Sequence, residues 1–185
     1  LRLGDVVESR SKEAAHHVKR MAEYCYELAL LAGLSERDAD LIKRASPMHD
    51  VGKIATPDSV LLKPSKLDDK EWNIMKQHPM IGHQIMANSE RPILKAASII
   101  SLQHHEKYDG TGYPHGISGK DIHIFARIVA IADVFDALVH KRCYKEAWPL
   151  TEVLAEMTRC SGSHFDPDLL ALFIDNIEIV FILIC

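Results

Sequence analysis

Apolar residues recur at helical spacing along most of the chain, and no stretch alternates apolar and polar residues for long enough to predict a strand. The pattern predicts helices over about 8–32, 35–49, 68–77, 81–88, 92–105, 125–139, 151–160 and 167–177. Gly33 is a natural stop for the first helix, and Ser35 with Asp38 is typical of a capped start for the second. We therefore predict an all-α fold, a single compact bundle of about seven to eight helices.

Two segments interrupt the helical pattern. Residues 53–67 contain two prolines behind Gly52 and are predicted to form a loop with little regular structure. Residues 107–123 are too rich in helix breakers to be helical, namely Gly110, Gly112, Pro114, Gly116 and Gly119. Long loops inside compact domains are usually functional, so this Gly-rich segment is predicted to lie over a site.

Composition narrows the class of protein. With 185 residues, 47% hydrophobic and 26% charged, the chain is expected to form one domain over 1–185 with a core of about 9–175. A net charge of −4 leaves no basic excess for binding a nucleic-acid polymer. The four cysteines form no C-x-x-C pair, which indicates reduced thiols and a cytoplasmic protein. The longest apolar run is far shorter than the roughly 20 residues of a membrane span, so no direct membrane insertion is expected.

Several of the eleven histidines occupy unusual positions for a polar side chain. His49 is in phase with the apolar stripe of the second helix and is followed by Asp50. His104 and His105 end an apolar helix, and His78 stands at a predicted helix break. For one such histidine alone, a buried ring that hydrogen-bonds a carboxylate would be the ordinary explanation. Because several histidines occupy such positions, a site that they share is favoured over separate buried rings.

Carboxylates accompany these histidines. Glu13 and His17 are four residues apart and therefore share one helical face. Asp133 and Asp136 lie on an otherwise apolar helix, where core-facing carboxylates are costly unless paired or metal-bound. Helical phase places Asp136 on the buried stripe and Asp133 beside it. So many nitrogen and oxygen donors exceed one tetrahedral centre and predict two or three ions, which can hold a bridging hydroxide and clamp a phosphoryl group.

Two longer motifs carry a family resemblance. Residues 49–53 read HDVGK, which matches an HD-x-G-K signature, and residues 104–114 read HHEKYDGTGYP, which matches HHE-x-x-DG-x-GYP. From about Ser9 to Phe173 the chain resembles the HD-GYP family of metal-dependent phosphohydrolases. The resemblance implies a helical bundle of the HD-domain type and hydrolysis of the bacterial second messenger cyclic di-GMP to linear pGpG. A further step to GMP stays open.

The resemblance also implies a set of metal ligands. They are His17, His49, Asp50, His78, His104, His105 and Asp133. Asp50 is the expected bridge between ions, and Glu13 matches an acidic residue that supports a third ion in some members. The expected cofactors are therefore two or three divalent metal ions, with Fe or Mn favoured.

Further positions match substrate-binding residues of the family. Lys53 matches a lysine that contacts the scissile phosphate or the bridging solvent, so Asp50 and Lys53 form the expected catalytic pair. Tyr113 offers a stacking face for guanine and a hydroxyl for phosphate. Arg142 and Lys145 fall in a segment similar to R-P-Y-K, in which Cys143 replaces the proline, and both are expected to bind phosphate. Asp136 precedes this segment and completes the expected substrate-binding set.

Two alternatives to a cyclic di-GMP phosphodiesterase remain at this point. One is an HD-type phosphohydrolase for another cyclic dinucleotide or nucleotide, and the other is a non-catalytic signalling module that binds cyclic di-GMP. A homodimer and an attached sensor or receiver domain are also left open by the sequence.

Overall fold

A computed structural model describes residues 12–140 and 148–178, with side chains from residue 16 onward. Within these ranges the chain forms nine α-helices, eight of them longer than four residues, and no strand beyond one isolated bridge. They are α1 Lys12–Leu31, α2 Glu36–Ala45, α3 Asp58–Leu61, α4 Asp69–Met75, α5 His78–Met86, α6 Pro92–Gln103, α7 Ile124–Val139, α8 Leu150–Arg159 and α9 Pro167–Asp175. The predicted all-α fold is confirmed.

Local sequence explains several helix ends. Gly33 follows α1 with φ +79°, a conformation that favours glycine. The Ser35 hydroxyl accepts a hydrogen bond from the Asp38 N–H (3.2 Å) and caps α2. At the start of α4, Asp68 and Glu71 form a reciprocal capping box, with distances of 2.8 and 2.9 Å. The boundaries predicted from these residues are confirmed.

Two local predictions were wrong. Residues 53–67 are not largely irregular, because a 3₁₀ turn over Val51–Ala55 is followed by the single turn of α3. The predicted break before His78 is confirmed, since α4 ends at Met75, but α5 begins at His78 and not near residue 81, with Pro79 in its first turn. A proline is tolerated there because the first backbone N–H groups of a helix have no intrahelical partner.

The core lies between α1, α2, α6 and α7, with α9 closing one side. Tyr24, Phe135 and Phe173 are fully buried, and their rings meet edge to face, at 5.2 Å for Tyr24 with Phe135. The 3₁₀ turn over Val51–Ala55 packs so closely on α5 that a Cβ on Gly52 would lie 1.9 Å from the His78 carbonyl oxygen. This close approach places Asp50 beside His78.

None of the described helices is both long enough and apolar enough to cross a membrane.

Candidate metal centre

Seven of the eight predicted metal ligands come together in two clusters. The donor atoms of the first cluster, Asp50, His78, His104 and His105, all lie within 4.8 Å of one another. The same limit holds for the second cluster, His17, His49 and Asp133. His49 Nε2 lies 3.3 Å from Asp50 Oδ2 and so connects the two. The side chain of the eighth predicted ligand, Glu13, lies outside the described residues.

Most of these donors stand at helix ends, where backbone carbonyls lack intrahelical partners. Three of the histidines donate their Nδ1–H to the backbone carbonyl of the residue three positions earlier in the chain. The pairs are His49 with Ser46 O (3.0 Å), His78 with Met75 O (2.8 Å) and His104 with Ser101 O (2.9 Å). This bond fixes the tautomer and leaves Nε2 with its lone pair directed at the centre.

His17, from the middle of α1, is supported by a side chain. Its Nδ1 donates to Asp136 Oδ2 at 2.7 Å, and its Nε2 lies 3.4 Å from Asp133 Oδ1. Burial alone would lower the pKa of His17, but the hydrogen bonds to Asp133 and Asp136 outweigh it and raise the pKa to about 9. The protein therefore surrounds His17 with enough negative charge to stabilise a cation.

Asp136 is in turn held by an arginine that the sequence did not single out. Arg20 donates from Nε to Asp136 Oδ1 (2.7 Å) and from a terminal nitrogen to Oδ2 (2.9 Å), a bidentate pair. The available signal was spacing, since Arg20 follows His17 by three residues on α1 and so shares its face. Asp136 is 1% exposed, and both of its carboxylate oxygens accept hydrogen bonds from His17 or Arg20. Its contact with substrate stays a prediction.

The first cluster contains a polar atom that needs a partner. Asp50 Oδ1 is buried and has no hydrogen-bond partner among the described residues, although His78 Nε2 lies at 3.2 Å and His104 Nε2 at 3.6 Å. The two Nε2 atoms are 3.4 Å apart. Burial lowers the pKa of His104 and of His105, which favours neutral rings. Lone pairs that face one another without a proton fit a divalent cation, and nitrogen and oxygen donors suit first-row metals such as Mn, Fe, Zn, Ni or Co.

Lys53 lies against this cluster. Its amine forms an ion pair with Asp50 Oδ2, and its side chain is 31% exposed. Burial alone would raise the pKa of Asp50, but the positive charge of Lys53 holds it well below its usual range. The expected catalytic pair is therefore in direct contact.

The Gly-rich loop covers the first cluster. The Tyr113 ring stacks on His105, with centroids 4.8 Å apart and an interplanar angle of 26°. Burial, together with the Asp50 and Asp133 carboxylates, raises the pKa of Tyr113, so its hydroxyl keeps its proton and can donate a hydrogen bond. Glu106, which sequence analysis gave no role, is buried and accepts a hydrogen bond from the His115 N–H (2.7 Å). This bond connects the residue that precedes the Gly-rich segment to the residue that follows the Gly-Tyr-Pro motif.

Two further predicted substrate residues, Arg142 and Lys145, lie outside the described residues.

The chain is similar to several known proteins. A family model described as HD domain matches residues 3–169. A 3'3'-cGAMP-specific phosphodiesterase 2 of Vibrio cholerae is 50% identical over 94% of this chain and 33% of its own length. The cyclic di-GMP phosphodiesterase response regulator RpfG of Xanthomonas campestris is 46% identical over 90% of this chain and 44% of its own. The chain thus spans between a third and a half of these relatives.

Two solved structures share the fold. An HDG"Y"P protein of Bdellovibrio bacteriovorus has a TM-score of 0.68 at 19% identity, and the match covers 95% of this chain and 61% of that one. A cyclic GMP-AMP-specific phosphodiesterase of V. cholerae has a TM-score of 0.65 at 18% identity, with 95% and 49% covered. Together with the HD-x-G-K and Gly-Tyr-Pro signatures, the family match establishes that the chain belongs to the HD domain family and is an HD-GYP protein.

Proposed function

We propose that this chain is a metal-dependent phosphodiesterase that hydrolyses cyclic di-GMP to linear pGpG. The observation that carries the proposal is the pair of buried donor clusters that meet at Asp50, with the Lys53 amine against the same carboxylate. Relatives named as phosphodiesterases of cyclic di-GMP and 3'3'-cGAMP support it. The reaction adds one water across one P–O bond of the ring, which leaves a phosphomonoester and a free hydroxyl.

Each cluster offers a place for an ion. His17, His49 and Asp133 would hold one, and Asp50, His78, His104 and His105 would hold another. We propose two ions of Fe or Mn, with a third if Glu13 also binds. When bound, such ions supply Lewis acidity to a phosphoryl oxygen and lower the pKa of water.

Side chains beside the clusters would bind the substrate and stabilise the charge that develops on it. The Lys53 amine would place a positive charge beside a phosphoryl oxygen, where negative charge develops during hydrolysis. The protonated Tyr113 hydroxyl would donate a hydrogen bond at the same rim. Arg142 and Lys145, carried over from the family resemblance, are proposed to bind the second phosphate.

A second candidate substrate is 3'3'-cGAMP. The relative at 50% identity is named as specific for it, whereas the relative at 46% is named for cyclic di-GMP. The two dinucleotides share both phosphates and one guanine, so the metal-binding residues do not discriminate between them. Discrimination would have to come from residues that contact the second base.

The test is a hydrolysis panel. Protein loaded anaerobically with Fe(II) or Mn(II) is incubated with cyclic di-GMP, 3'3'-cGAMP and a cyclic mononucleotide, and the products are separated by chromatography. We expect pGpG from cyclic di-GMP. Turnover of 3'3'-cGAMP alone would show that 3'3'-cGAMP, and not cyclic di-GMP, is the substrate. Tight binding of cyclic di-GMP by metal-loaded protein without product would identify a non-catalytic binding module.

A further inference from the structure

Helix α4 presents a large aromatic side chain to solvent beside the site. The helix contains no buried residue, and its two largest apolar side chains, Trp72 and Ile74, are 44% and 43% exposed. The apolar side chains of α4 are therefore not explained by packing in the core. An aromatic side chain left this exposed next to a functional site is a candidate for contact with a ligand.

Polar contacts hold α4 in place instead of apolar burial. Glu71 completes the capping box with Asp68, and its carboxylate also accepts a hydrogen bond from Lys63 Nζ at 2.5 Å. Glu71 precedes Trp72 directly, so these contacts fix the backbone that carries the indole. Trp72 is thus exposed but attached to an anchored helix.

The position of Trp72 relative to the metal ligands follows from two ring contacts. Its ring lies 6.2 Å from that of Tyr113 at an interplanar angle of 76°, and Tyr113 stacks on His105. The indole and the phenol therefore form a corner at the rim of the first cluster. A flat base that lies along the indole would be within reach of a phosphate held at that cluster.

We propose that Trp72 is a substrate-binding residue that stacks on a purine base of the cyclic dinucleotide. The inference rests on the proposed function and adds a residue to which the family signatures assign no role. Every nucleobase has a π face, so stacking on Trp72 contributes affinity for either guanine or adenine. Identity of the base would then be determined by other groups around the corner.

Steady-state kinetics test the proposal. Loss of one stacked aromatic, as in Trp72→Ala, is expected to raise KM about tenfold and to leave kcat within about twofold. Trp72→Phe retains a ring and should keep KM within about threefold. Ile74→Ala is the matched control, because it removes an equally exposed apolar side chain from the same helix. An equal rise in KM for Ile74→Ala would overturn the proposal by showing that the helix, and not the ring, matters.

Fluorescence gives a readout that does not depend on turnover. The chain has two tryptophans, Trp72 and Trp148. A hydrolysis-resistant phosphorothioate analogue of cyclic di-GMP should quench the wild-type emission, and most of that quenching should be absent in Trp72→Phe, whose remaining emission comes from Trp148. Unchanged KM in Trp72→Ala, with wild-type turnover intact, would overturn the role of Trp72 alone. A wild-type protein that neither binds nor cleaves any cyclic dinucleotide would instead overturn the proposed function, and this inference with it.

Discussion

The two donor clusters are supported in different ways. In the first cluster, His78 and His104 are oriented by backbone carbonyls of residues three positions earlier in the chain. In the second, His49 has the same kind of support, but His17 depends on the Asp136 carboxylate, which is 119 residues away in sequence. Asp136 depends in turn on Arg20.

This difference determines which substitutions can alter the orientation of the histidines in each cluster. A carbonyl belongs to the backbone, so the orientation of His78 and His104 changes only if the local fold changes. The orientation of His17 can be altered by a single side-chain substitution that leaves the backbone intact. The first cluster should therefore respond mainly to changes in packing, and the second to changes in charge.

The largest effect is expected at Asp50, which faces both clusters. Asp50→Asn removes a charge among buried imidazoles and should deplete metal from both clusters. Activity should fall by more than about a hundredfold, because loss of a group that merely supports a ligand already costs about 10–100-fold. Metal analysis after dialysis and initial rates measure both effects. Asp40→Asn, at a carboxylate 59% exposed in a surface ion pair, is the control, and full metal content in Asp50→Asn would contradict the prediction.

A packing change should act on the first cluster. Gly52→Ala introduces a Cβ 1.9 Å from the His78 carbonyl oxygen and 2.6 Å from Gly82 N, both backbone atoms that cannot move alone. Overpacking of this kind costs about 3 kcal/mol, which corresponds to a loss of roughly 6–12 °C in Tm for a chain of 185 residues. The displaced start of α5 carries His78, so metal should be lost from the first cluster as well.

Gly33→Ala is the control for the loss of a glycine. It has open space around it but a φ of +79°, so it should lower Tm by a few degrees through backbone strain and leave metal content unchanged. A Gly52→Ala protein with wild-type Tm and metal content would show that α5 tolerates the displacement.

A charge change should act on the second cluster. Asp136→Asn weakens the hydrogen bond that orients His17 and removes the negative charge that pairs with Arg20. Removal of such a supporting group is expected to lower metal affinity at the second cluster about 10–100-fold. Titration of Mn(II) into metal-free protein, followed by calorimetry, should show one weakened class of site and one unchanged class. Asp175→Asn, at an exposed position, is the control, and equal weakening of both classes would contradict the distinction between the clusters.

Sequence periodicity predicted the features that depend on local geometry. Helical phase placed Asp136 inside and Asp133 beside it, and their side chains are 1% and 26% exposed. The cap at Ser35 was predicted because its partner, Asp38, lies three residues away. In each case the information is contained within one or two helical turns.

Contacts between distant segments could not be predicted in this way. Arg20 and Asp136 are 116 residues apart, and the corner formed by Trp72 and Tyr113 depends on how α4 packs beside the Gly-rich loop. The start of α5 was missed for a different reason. Proline both follows helix ends and occupies first turns, so the His78-Pro79 pair is ambiguous without knowledge of the packing.

The smallest effect is expected at Arg20, because its removal leaves the Asp136 carboxylate and its hydrogen bond to His17 in place. Arg20→Met should weaken metal binding at the second cluster by about threefold to tenfold, at the lower end of what supporting groups contribute. Arg20→Lys keeps the charge but not the bidentate geometry and should recover part of the loss. If Arg20 acts only through Asp136, the double variant Arg20→Met with Asp136→Asn should bind metal no more weakly than Asp136→Asn alone. Additive losses in that comparison would show that Arg20 supports the second cluster by a route independent of Asp136.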